Sequence, residues 1–376
     1  PRFHNYSSAI IDSISEEVNA KLVQEGVELH PYSSFTSILE SLPANITRIC
    51  SKGKITVRDY KALDIEGAKF MEDPTLGGTV NYFKAIKNNW EKAGFEQAFL
   101  VDGVAWCKLL KYIDDSLNAG EQITEWQIGE KFAQFRGEHP AYRGESFEPI
   151  VAFGAAAALP HYSATEENAQ VVGKNNFLLM DTGGQYLFGT TDTTRTIPVG
   201  ELTPEQRRHY TLVLKGMIAL SMAKFPKGTR GSQLDVLARG PLFNDAAMYF
   251  HGTGHGIGHY LCVHEGPQSI RMEENPVTLA PGMVMSNEPA VYVEGEYGIR
   301  TENVVLIENW KFNKTNEFYG FKTLTYVPID TTCVDWELLD APQTEWIKEY
   351  NRRVCETIAP LLSEEAAQWL CNKYLG

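Results

Sequence analysis

Residues 251–264, His251-Gly252-Thr253-Gly254-His255-Gly256-Ile257-Gly258-His259-Tyr260-Leu261-Cys262-Val263-His264, hold four of the chain's nine histidines and a glycine at four alternate positions. Each glycine would cost a helix about 1 kcal/mol relative to Ala. The segment is therefore loop or strand, even though His251 and His255 stand four apart as in a zinc-binding helix. On an extended chain His251, His255 and His259 share a face, but residues four apart are separated by ~13 Å at ~3.3 Å per residue. They cannot all ligate one ion. At most one is a direct ligand, and the others reach substrate or the groups around the ligands. The structural alternative is a Gly-rich turn whose histidines are satisfied by backbone carbonyls.

A chain of 376 residues corresponds to two or three domains at roughly 150 residues each. Its 43% apolar and 22% charged residues fit a folded protein. The 34 Lys+Arg against 48 Asp+Glu give a net charge of −14, which repels phosphate backbones and anionic lipid. Nucleic acid and membrane are thus excluded as partners. No run of eighteen apolar residues or secretory leader occurs. The cysteines, Cys50, Cys107, Cys262, Cys333, Cys355 and Cys371, are widely spaced, and they read as reduced and mostly buried. A cytoplasmic location follows. Pro1 in place of Met implies a processed or excised chain.

Residues 1–85 alternate β-like runs (Ser8–Ile11, Val27–His30, Ile46–Cys50) with helix-like ones (to about Val23, and Phe35–Ser41), an α/β pattern. After the turn cluster Asp73–Gly78 we place a boundary near Phe83, with the second domain at 86–376. There, a helix from about Asn88 to Asn118 aligns Val101, Ala105, Leu109 and Tyr112. Thr124 and Thr203 each stand three residues before a Gln as capping boxes. Behind Thr203, an apolar face of Tyr210, Val213, Leu214, Met217 and Leu220 runs until Phe225-Pro226-Lys227-Gly228 stops the helix. Strand-like runs are Phe177–Asp181, Thr191–Pro198, Met283–Ser286, Ala290–Val293 and Thr301–Ile307. The second domain reads as α+β with an antiparallel sheet.

Four carboxylates sit at the ends of those strands. Asp181 ends an apolar run before Gly183-Gly184, Asp192 follows Gly189, Glu288 precedes Pro289, and Glu302 opens Asn303–Ile307. Singly, each reads as a turn residue or an exposed strand end. Together with one histidine they form an oxygen-rich set whose charge two divalent cations would cancel, whereas four bare carboxylates in one pocket would force protonation. Hard ligands with one imidazole and no thiolate favour Mn²⁺, with Zn²⁺ or Co²⁺ as alternatives. Two ions ~3.5–4 Å apart can bridge a water, lower its pKa and clamp a tetrahedral intermediate.

Asp181-Thr-Gly-Gly-Gln-Tyr, Thr191-Asp192-Thr-Thr-Arg-Thr, His251-Gly-Thr-Gly-His255-Gly-Ile-Gly, Val263-His264-Glu-Gly-Pro, Ser286-Asn-Glu288-Pro and Arg300-Thr-Glu302-Asn resemble the pita-bread metallopeptidases of family M24, most closely their aminopeptidase P branch of cytosolic eukaryotic type. The likeness covers about residue 85 to the end, with ligand spacings of 11, 63, 33 and 14. It implies a dinuclear, usually manganese, site that removes the residue before a proline in second place by attack of a metal-bridging hydroxide. It also implies Asp181, Asp192, His255, Glu288 and Glu302 as metal ligands, with Asp192 and Glu302 bridging. His161, His251 and His264 would act on substrate and protons, with His161, His264 and Tyr292 binding substrate and Arg300 supporting the ligand carboxylates. The family often dimerises, so a homodimer is expected. Residues 1–85 resemble the end of a middle creatinase-like domain, residues beyond about Asp335 form an extension, and the family's upstream domains are expected to be missing. Gly154-Ala155-Ala156-Ala157, His259 and Gln97 depart from the family pattern. Prolidase shares the ligands and is the nearest alternative, ahead of an impaired fragment or a peptidase-like binding module.

Overall fold

The computed structural model describes residues 14–50, 55–159 and 162–375, so Ser8–Ile11 and His161 lie outside the described residues. The chain divides into two compact units, Pro1–Thr79 and Val80–Gly376, the division falling at the start of the helix Thr79–Ala85 in which Phe83 lies.

In the first unit β1 (Thr47–Cys50) and β2 (Lys69–Glu72) pair in parallel, with the helix Val57–Leu63 between them. Parallel strands need such a crossover. Helices Glu16–Gln24 and Phe35–Glu40 precede β1. Val27–His30, expected as a strand, is unpaired coil. Val27 is buried, so its apolar character serves packing and not a ladder.

In the second unit the capping boxes at Thr124 and Thr203 form as expected, on helices Glu125–Gly137 and Pro204–Ser221, and Asn88 makes a further one on helix Asn89–Asn118. Helix Asn89–Asn118 is buried on several sides, and its Trp106 meets Phe132 of helix Glu125–Gly137 edge-on at 4.8 Å. Helix Pro204–Ser221 buries Tyr210, Val213, Leu214, Met217 and Leu220. It ends four residues before Phe225, earlier than expected, because Phe225 and Pro226 belong to an edge strand, where a missing N–H is tolerated.

The antiparallel sheet proves to be several. β3 (Tyr142–Glu145), β4 (Ile150–Phe153), β5 (Asn176–Thr182), β6 (Gly184–Tyr186), β7 (Gly189–Thr190) and β8 (Thr193–Val199) form two three-stranded sheets, ordered β4-β5-β8 and β3-β6-β7. The chain leaves the first sheet after Thr182, runs through the β6–β7 hairpin of the second, and re-enters after Asp192. β9 (Lys224–Pro226), β10 (Gly254–His255), β11 (Ser269–Ile270), β12 (Val284–Asn287), β13 (Ala290–Val293), β14 (Tyr297–Arg300), β15 (Asn303–Phe312) and β16 (Glu317–Thr323) make a β12-β15-β16-β9 sheet and two ribbons, β10-β11 and β13-β14. Helices Ala341–Ile358 and Glu364–Leu375 close the unit; Ile347, Val354 and Leu370 share a core with Tyr210 and Met217. All six cysteines are free. Only Cys107, Cys333 and Cys355 are buried and Cys262 is exposed, a correction to the expectation of mostly buried thiols.

Candidate metal centre

Period-2 geometry decides which side chains meet. β5 pairs with β8 so that Asp181 lies opposite Thr194 and Thr182 opposite Thr193, bringing Asp192 to the same end of the sheet. Glu302, between β14 and β15, is tied to that end by its own N–H to Thr194 O at 3.1 Å and by the Thr194 hydroxyl, which donates to Oε2 at 2.9 Å. From the other side, β10 lies so close to β12 that a Cβ on Gly254 would fall 2.1 Å from Ser286 O. That approach is why glycine stands beside His255. The Ser286 hydroxyl accepts the His255 N–H and donates to Glu288 Oε1, both at 2.9 Å.

Asp181, Asp192, His255, Glu288 and Glu302 thus line one cleft of about 530 Å³, with His251, His264, Tyr292 and Arg300. His255 Nε2 lies 3.4 Å from Asp192 Oδ2 and 3.5 Å from Glu288 Oε1. Asp192, His255 and Glu302 each offer an atom within 4.8 Å of the others. His255 Nδ1 faces Gly256 O at 3.0 Å and so carries the hydrogen in the neutral ring. Its Nε2 then faces two carboxylate oxygens, an arrangement that calls for a proton or another cation at that nitrogen.

The electrostatics agree. Burial first, then repulsion from Asp192 and Asp181, pushes Glu288 up to about 7 against the pull of His255 and Arg300. Burial and repulsion from the other carboxylates likewise raise Asp192 and, further, Glu302. Burial opposes the charged form of His255, but the Asp192 hydrogen bond and the Glu288 charge outweigh it and lift the ring to about 9. Asp181 Oδ1 is buried with no hydrogen-bond donor, while Oδ2 accepts from Arg300. Hard oxygen donors, one imidazole, an orphaned buried carboxylate oxygen and excess negative charge fit divalent cations.

His251 is bound at both nitrogens. Nδ1 faces Gly252 O at 2.8 Å, so the Tyr292 hydroxyl donates to Nε2 at 2.9 Å while accepting from Arg300. Burial lowers this ring to about 4, keeping it neutral. The His264 ring sits edge-on to His255, 4.2 Å between centroids. Phe147, Ile150, Tyr162 and Arg271 complete the walls. Sequence reasoning did not single these out, nor Thr194 and Ser286 as partners of the carboxylates. A signal for the last two exists, since each stands two residues from a ligand candidate on a strand, hence on its face. Of the departures, Gly154–Ala158 is a 3₁₀ turn, and His259 lies outside the cleft, edge-on to Phe95 at 5.6 Å.

Fold and cleft define an α+β protein built around an acidic, histidine-bearing site for divalent cations. The chain belongs to metallopeptidase family M24: residues 93–309 match that family's model and residues 317–374 the model of its C-terminal region. Its fold is the family's pita-bread fold. It is 34% identical over 397 residues to a probable Xaa-Pro aminopeptidase P of Coprinopsis cinerea, covering 98% of this chain and 64% of that one. The crystal structure of X-prolyl aminopeptidase from Caenorhabditis elegans, a cytosolic enzyme with a di-nuclear active site, superposes with a TM-score of 0.86 at 33% identity over 96% of this chain and 60% of that one. A Xaa-Pro dipeptidase from Bacillus anthracis matches with a TM-score of 0.61 at 27% identity, covering 75% of this chain and 72% of that one. The chain therefore spans less than two thirds of the length of the two aminopeptidase relatives. Among the described residues no helix is long and apolar enough to cross a membrane.

Proposed function

We propose that this chain is a dinuclear metallo-aminopeptidase that hydrolyses the N-terminal Xaa-Pro bond of peptides, holding two divalent ions, Mn²⁺ foremost, on Asp181, Asp192, His255, Glu288 and Glu302. The observation that carries the reading is the convergence of four carboxylates and the His255 ring in one cleft, with His255 Nε2 within 3.5 Å of oxygens of Asp192 and Glu288 and with Asp181 Oδ1 buried and unpartnered. Bound there, the ions would polarise the scissile carbonyl and make water a nucleophile at neutral pH. Asp192 and Glu302, which with His255 offer atoms within 4.8 Å of one another, would be the residues shared by both ions.

The remaining steps belong to the chain. Arg300 orients Asp181 and the Tyr292 hydroxyl. Neutral His251 fixes that hydroxyl from the other side, which makes it an orienting group for substrate more than a proton carrier. His264, on the cleft wall beside His255, would deliver a proton to the leaving nitrogen. Proline has no N–H and a fixed φ, so an apolar wall of Phe147, Ile150 and Tyr162 would select it by shape. The metal-binding end of the cleft would receive the substrate's free α-amino group as the neutral amine. A cytoplasmic homodimer acting on peptides with proline in second place completes the proposal.

The Bacillus anthracis likeness keeps the dipeptidase reading as the alternative. Turnover of an Xaa-Pro-Xaa tripeptide, its N-acetyl form, its Ala-for-Pro analogue and the Xaa-Pro dipeptide by Mn²⁺-loaded protein separates them. Cleavage of the free tripeptide alone is expected. Preferred cleavage of the dipeptide would establish the alternative, and equal turnover of the Pro and Ala peptides would refute both.

A further inference from the structure

Three fully buried arginines beside the cleft each face a carboxylate: Arg136 meets Asp102 and Glu145, Arg239 meets Asp235, and Arg300 meets Asp181. Arg195 on β8, 2% exposed, does not. Its guanidinium donates to the carbonyls of Thr194, Glu302, Val327 and Pro328, to Asn303 Oδ1 and to the Tyr350 hydroxyl. Among the described residues it makes no ion pair. A buried charge without a counter-ion is costly, and a side chain that only filled space there would be neutral.

The acceptors show what the guanidinium holds together. Thr194 is two residues from Asp192, and the carbonyl of Glu302 belongs to the other proposed bridging residue. One guanidinium nitrogen, Nη1, therefore binds the backbones that carry both, at 2.8 Å for Thr194 O. Its second terminal nitrogen is oriented from outside the sheets by Tyr350, on the helix Ala341–Ile358, at 2.8 Å. The Tyr350 hydroxyl in turn lies 2.7 Å from Val327 O and its ring stacks on Trp346 at 5.2 Å.

We propose that Arg195, oriented by Tyr350, is a positioning residue that sets the separation of Asp192 and Glu302 and so the spacing of the ions they would share, making the helix Ala341–Ile358 part of the metal centre's construction. This rests on the two-ion reading above. It asks for no contact between Arg195 and an ion; the guanidinium acts through backbone.

The test is Mn²⁺ titration by calorimetry, with electron paramagnetic resonance of the Mn²⁺-loaded full chain, for the wild type, Tyr350→Phe, Arg195→Lys, Arg195→Met and Trp369→Phe. Tyr350→Phe removes one hydroxyl. Trp369→Phe loses the bond to Asp114 at 2.7 Å and loosens the last helix without touching Arg195. Expected are a spin-coupled pair in the wild type, a roughly tenfold weaker second Mn²⁺ with an altered coupled spectrum in Tyr350→Phe, about 1.4 kcal/mol, and Arg195→Lys between the wild type and Arg195→Met. Trp369→Phe should lower the melting temperature and leave both metal readouts unchanged. If Arg195→Met does not fold, Tyr350→Phe and Arg195→Lys decide. Wild-type affinity and spectrum in both of those, or an equal metal defect in Trp369→Phe, would overturn the proposal while the two-ion reading stands. A wild type without a coupled pair would overturn that reading, and this inference with it.

Discussion

Replacing Glu288 by Gln should stabilise the metal-free protein while impairing its metal binding. The carboxyl rises from 4.5 in the open chain to about 7 in the fold, and each unit is worth about 1.36 kcal/mol, so ionising Glu288 costs the fold about 3 kcal/mol. The fold holds the extra proton, so its stability falls as pH climbs from about 4.5 to about 7. His255, lifted to about 9 from 6.5, has the same sign: its contribution is complete below 6.5 and lost as pH rises through about 9. The substitution also removes one of the anions that hold His255, but Asp192 remains, and a net gain of about 2 kcal/mol at pH 8 is expected. For a unit of this size that is a rise of about 3 °C in melting temperature. Thermal melts in chelator at pH 4.5 and pH 8 are the assay: near-identical curves at pH 4.5 and a higher-melting variant at pH 8. Added Mn²⁺ should invert the order at pH 8, since saturating ligand at a hundredfold over Kd adds about 2.7 kcal/mol to a site that binds it. A variant that melts at or below the wild type at pH 8 in chelator would refute the claim that these carboxylates are held together against their own repulsion.

Other perturbations separate the roles of the remaining groups. His264→Ala should lower kcat by roughly a hundredfold, the size of one general-acid contribution, with two equivalents of metal retained by elemental analysis; loss of one would make His264 a ligand. Arg300→Met would leave Asp181 buried without its cation and should cost about 3–5 kcal/mol in denaturant melts of the metal-free protein. A Cβ at Gly183 would fall 1.9 Å from Thr191 O and 2.3 Å from Ser146 Oγ, so Gly183→Ala should cost about 1–3 kcal/mol and weaken metal binding by displacing the loop that carries Asp192; an unchanged Mn²⁺ isotherm would count against that link.

What could be read from the sequence follows from how far each signal reaches along the chain. Capping boxes at Thr124 and Thr203 are three-residue signals and they place helices within a residue. Asp181 and Asp192 stood out because Asp is unusual at the end of an apolar strand, and the alternate glycines of 252–258 excluded a helix before any geometry was known. The positions of Thr194, Ser286 and Arg195 are legible locally, but their partners lie 108, 31 and 155 residues away, and only the folded sheets bring them together. Val27–His30 and Phe225 were misread for the complementary reason: β-like composition does not say whether a partner strand exists, and a Pro that ends one element can begin the edge of another. The division of the antiparallel strands into several sheets is not legible locally, because the close approach of Gly183 to the backbone of Thr191 exists only in the fold.

The central claim is that five side chains on strands and strand ends far apart in sequence hold two ions. Anomalous scattering from crystals grown with Mn²⁺ tests it directly. The account predicts two peaks in the cleft, each with its ligands at ~2.0–2.3 Å, drawn from Asp181, Asp192, His255, Glu288 and Glu302, with Asp192 and Glu302 touching both. A single peak, a peak elsewhere, or any of the five side chains outside coordination distance would contradict it.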